Sequence, residues 1–107
     1  MPVTKSFKEL VVKRAQNDEE FRLGLLNEAM ESLLAGESDI AKILLRDFIN
    51  ATVGFIELSR GISINSKSLM RMLSDDGNPK LNNLLEIIKF LRDMEDINFK
   101  VSSVKRA

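Results

Sequence analysis

From Phe7 to Leu91 the apolar residues recur at spacings of three and four, the period of a helix rather than of a strand. Phe7, Leu10, Val11 and Ala15 make the first stripe. Ser6 and Glu9 before it have capping-box spacing, which predicts a helix beginning at Ser6. A second helix is predicted after Asn17 or Asp18. Glu19 and Glu20 suit its positive N-terminal end, and Phe21, Leu25, Met30, Leu33 and Leu34 form its inner face. Gly36 is its stop signal. Ser38 opens a third helix carrying Ile40, Ile43, Leu44, Phe48 and Ile49, which ends near Asn50. Three shorter helices follow, over about 53–61, 66–74 and 80–94. Asp76-Gly77-Asn78-Pro79 marks the turn before the last, because proline suits the first turn of a helix. Ile97, Phe99 and Val101 alternate weakly and predict one short strand. A lone strand needs a partner, so this one suggests pairing across a homodimer. The expected fold is all-α, with five to six helices in a single domain over 1–107. Its parts are N-terminal helices in 1–37, a core in 38–94 and a tail in 95–107.

Composition narrows the chemistry. There is no cysteine and no histidine, so disulfides, thiolate metal sites and the commonest general base are excluded. No metal site, cofactor or enzymatic activity is expected. Glu19-Glu20 reads as dipole compensation and Asp75-Asp76 as solvated turn charge rather than as a catalytic pair. Lys5, Lys8, Lys13 and Arg14 read as the wet face of an amphipathic helix. The five methionines are scattered and read as core filler. No apolar run is long enough to span a membrane, and the N-terminus lacks a signal-peptide stretch, so a cytoplasmic location is the expectation. Net charge is zero, but unevenly spread. Residues 1–53 carry seven Lys/Arg against nine Asp/Glu, whereas residues 54–92 carry six against four.

That mildly basic stretch is also the most patterned. Two short helices joined near a right angle need a small residue where they touch, and Ser59 fits. Leu58, Ile62, Ile64, Leu69 and Met72 are placed to lock the elbow. The turn normally takes glycine; Ser63 stands there instead, and Gly61 comes two residues early. With Leu69, Met72 and Leu73 facing inward, Ser66, Lys67, Met70, Arg71 and Ser74 face out. Such a face suits the major groove. Lys67 and Arg71 can donate to guanine O6 and N7, and Met70 can meet a thymine methyl. Lys80, Asn82 and Asn83 open the next helix, where backbone N–H groups and side chains can hold a phosphate. The candidate DNA-binding set is Asn65, Ser66, Lys67, Met70, Arg71, Ser74, Lys80 and Asn82. The same pattern also describes an ordinary helical hairpin with a solvated face.

Three stretches carry a family resemblance: Arg46-Asp47-Phe48-Ile49-Asn50-Ala51-Thr52-Val53-Gly54-Phe55, Ser66-Lys67-Ser68-Leu69-Met70-Arg71-Met72-Leu73-Ser74, and Gly77-Asn78-Pro79. With the opening Phe7-Lys8-Glu9 through Arg14-Ala15-Gln16, they resemble the addiction-module antidote proteins (HigA-like antitoxins). That group is a branch of the Cro/CI-like (Xre) helix-turn-helix family. The resemblance implies a double-stranded DNA operator, repression of the protein's own operon and a homodimer. It also implies a small partner toxin, often of the RNA-cutting RelE/HigB type. A prophage-type repressor without a toxin, and a toxin-binding module with no DNA reading, remain alternatives.

Overall fold

The structure is a computed structural model that describes residues 5–107, with side chains from Glu9 onward. Among the described residues six helices follow one another: α1 Lys5–Asn17, α2 Glu19–Leu34, α3 Ser38–Ala51, α4 Phe55–Ile62, α5 Ser66–Met72 and α6 Leu81–Glu95. The all-helical expectation holds. No helix among the described residues is long and apolar enough to cross a membrane. The first helix starts at Lys5, one residue before the expected Ser6. The Ser6–Glu9 capping box lies outside the described side chains.

α1 and α2 meet at Asp18, whose carboxylate accepts from the Phe21 N–H at 3.1 Å and so caps α2. α3 packs along α2, with α1 against both. The core gathers Leu26 and Ala29 of α2, Leu45, Phe48 and Ile49 of α3, Phe55 and Leu58 of α4, Leu69 and Leu73 around α5, and Ile87 and Leu91 of α6. Every helix after α1 therefore contributes to one continuous apolar centre.

Three expectations are corrected. The deep face of α2 is Leu26 and Ala29, not the Phe21–Leu34 stripe. Phe21, Leu25, Met30 and Leu33 are half-buried, and Leu34 is 69% exposed. On α1, Leu10 is exposed although Ala15 is fully buried, and on α3 Ile40 and Ile43 are exposed while Leu45 is buried. The tail forms no strand. Asp96, left-handed at φ 55, ends α6, and Ile97 and Phe99 then pack onto the core. Asn98 to Ser102 run beside Asn27, Met30, Glu31 and Leu34 of α2. Two of the three apolar residues expected to seek another chain's strand, Ile97 and Phe99, thus find cover on their own chain, while Val101 stays exposed.

Candidate nucleic-acid interface

α4 and α5 are joined by three residues, Ser63, Ile64 and Asn65. Ser63 is left-handed, with φ 58 and ψ 39. This is the conformation for which the turn ordinarily takes glycine, held here by a residue with a Cβ. The Ser59 hydroxyl donates to the Ile64 carbonyl and ties the end of α4 across the turn. Ser59 is half-buried, and Leu58 and Leu69 are fully buried. Ile62, Ile64 and Met72 pack against the core at their side. The apolar set read as an elbow lock thus lies in or against one core.

Gly61 does a different task from the one its place in the sequence suggests. It lies within α4, and a Cβ there would press into the Phe90 ring of α6. Close approach to α6, not turn flexibility, requires the small residue. Gly77 is constrained likewise, since a Cβ would meet the carbonyls of Arg71 and Met72 at the end of α5.

Leu69 and Leu73 point into the core, which turns Lys67, Met70 and Arg71 outward. All three are exposed, and Lys67 and Arg71 make no ion pair among the described residues. Asn65 is the N-cap of α5: its Oδ1 accepts from the N–H groups of Lys67 at 2.9 Å and Ser68 at 3.4 Å. Ser66 is half-buried. Ser74 is half-buried too, and its hydroxyl donates to the Arg71 carbonyl at 2.7 Å. Lys80 and Asn82 are exposed at the start of α6. The candidate residues thus fall into an outward trio on α5, residues that shape the ends of α5, and a separate pair on α6.

The rear of α5 is fixed by cations from α3. Arg46 donates to the Leu73 carbonyl at 3.2 Å, and the Lys42 ammonium donates to the carbonyls of Asp75 at 3.1 Å and Gly77 at 2.8 Å. Lys42 is only 8% exposed, a buried charge made tolerable by these acceptors. Sequence reading gave neither residue a role. Beside them, Leu33, Ala41, Leu45, Pro79 and Leu84 line a hollow of about 120 Å³. That is smaller than ordinary small-molecule sites. Among the described residues no group of three or more acidic side chains could hold a metal ion.

Comparison with protein-family models, with curated proteins and with solved structures finds no match for this chain.

Proposed function

We propose that the chain is a sequence-specific DNA-binding regulator in which α4 and α5 form a helix-turn-helix and α5 reads the major groove. The observation that carries this reading is the outward trio Lys67, Met70 and Arg71. It stands on a short helix whose opposite side is anchored by Leu69 and Leu73 and whose far end is clamped by Arg46. A guanidinium four residues after an ammonium on one face matches guanine acceptors, and a thioether beside them matches a thymine methyl. Lys80 and Asn82 take the phosphate-contact role, one turn region away. By resemblance, the regulator is an antidote that represses its own operon as a dimer and binds a small toxin.

A protein-binding module without DNA reading is the second interpretation. It is favoured by the exposed Leu10, Ile40 and Ile43 on the first three helices.

The deciding experiment is a salt titration on the promoter upstream of the gene and on scrambled DNA. Arg71→Ala is expected to cost about 1–3 kcal/mol on the promoter and to relax preference at one base pair. Lys80→Ala is expected to weaken binding evenly on both DNAs and to lower the salt slope by about one unit. No binding by the parent protein at low salt, or equal small losses for both variants, overturns the base-reading role and leaves the module interpretation in its place.

A further inference from the structure

The outer side of α6 carries an apolar pair with nothing of its own chain upon it. Leu81 is 69% and Leu85 51% exposed, four residues apart and hence on one face. Lys89 continues that row by another four residues, and Glu86 lies in the row beside it. Both are exposed, and neither joins an ion pair among the described residues. Ile88, at the inner edge of the face, is 8% exposed and links it to the core.

Other exposed apolar groups are set differently. Ile40 and Ile43 flank Lys42, which already engages Asp39 at 3.7 Å and two carbonyls. Val101 and Val104 lie in the segment 97–107, whose charged side chains, Lys100, Lys105 and Arg106, are all positive, so a second copy of that segment is repelled. The α6 pair sits beside two charges of opposite sign that join no ion pair among the described residues.

We propose that this face binds the same face of a second copy, the two α6 helices running antiparallel. A two-fold axis at the level of Ile87 and Ile88 sets Glu86 of each chain level with Lys89 of the other and makes two equivalent ion pairs. It also brings each Leu85 beside the partner's Ile88. A parallel arrangement instead sets Glu86 against Glu86 and Lys89 against Lys89, which is repulsive. Charge complementarity therefore selects both the occupant and its direction. The surface deepens the dimeric part of the proposed function and does not depend on DNA contact.

Light scattering of the full chain at micromolar concentration, without DNA, is expected to give twice the 12.1 kDa chain mass. Leu85→Glu, at a half-exposed position, is expected to keep its helical circular dichroism and weaken association at least tenfold, roughly the scale of one buried interface anchor. Glu86→Lys is expected to weaken association roughly fivefold, and Glu86→Lys combined with Lys89→Glu to restore it. A folded Leu85→Glu chain that still dimerises overturns the proposal, and so does a monomeric parent or a failed charge-swap rescue. Loss of the dimer on Val101→Lys with Val104→Lys would move the interface to the tail. Arg71→Ala is the control, because it removes the proposed base contact and leaves the mass unchanged. A failure of DNA reading and a failure of this interface are thereby told apart.

Discussion

Ser63 holds a backbone conformation that costs an L-residue about 1–2 kcal/mol, and it holds it because both neighbouring helices fix where the turn must go. Glycine there would remove that strain at the expense of about 0.5–1 kcal/mol of extra unfolded-state entropy. Ser63→Gly is therefore expected to raise stability by about 0.5–1 kcal/mol, read as a higher urea midpoint with an unchanged m-value. An unchanged or lower midpoint would show that the turn is not strained at this residue. The turn was legible in the sequence from Ser59 and the apolar spacing around it, although serine stands where glycine is customary. The contact that makes Gly61 indispensable was not legible. Its partner, Phe90, lies far along the chain, and nothing local marks a glycine chosen for closeness rather than for φ.

The crossing of α4 and α6 rests on that glycine. Gly61→Ala improves helix propensity by about 1 kcal/mol but forces the Phe90 ring to move. A net loss of about 1–3 kcal/mol is expected, as for other overpacked joints. Adding Phe90→Leu to Gly61→Ala should recover part of it, which thermal denaturation of the two variants measures; strictly additive losses would contradict the contact. Helix positions and types were legible, as α4 to α6 fall within two residues of their expected ends. The phase of α2 was not. Phe21, Leu23, Leu25, Leu26, Ala29, Met30, Leu33 and Leu34 surround most of its circumference, so period alone leaves its deepest line undecided. Packing on α3 decides it in favour of Leu26 and the small Ala29, while the tail takes the Met30 side. Within the candidate site, the outward direction of Lys67 and Arg71 was legible because Leu69 and Leu73 dictate it. The capping use of Asn65 was not singled out, although asparagine before a helix is a known signal.

At the scale of the whole molecule, one ion pair joins the second helix to the sixth. Arg22 on α2 donates to Glu95 at the close of α6 through two nitrogens, at 2.6 and 3.0 Å, and also to the Ala15 carbonyl at 3.3 Å. The side chains are 19% and 10% exposed. The hydrogen bond with Glu95 is the largest influence holding the Arg22 pKa above its usual value, against the opposing cost of burial. A raised folded-state pKa gives stability that is fully present below the unfolded value and is lost only as pH climbs through the folded one. For an arginine that window is strongly alkaline, so this group gives no change in stability across neutral pH. Glu95→Ala leaves the guanidinium half-enclosed without its partner. It is expected to cost about 3 kcal/mol in a denaturant titration at neutral pH. A loss below about 0.5 kcal/mol, the range of a surface pair, would mean that the bridge is solvated and does not hold α2 to α6.

The clamp formed by Lys42 and Arg46 on the segment after α5 has a thermodynamic corollary. Three carbonyls behind α5, those of Leu73, Asp75 and Gly77, are already fastened to α3. A ligand meeting Lys67 and Arg71 consequently has little backbone left to order. What it must still restrain is side-chain rotation, roughly 0.5–1.5 kcal/mol for each immobilised side chain. In calorimetry, association at α5 should then lack the large heat-capacity decrease of coupled folding and binding, leaving only the contribution of the contact area itself.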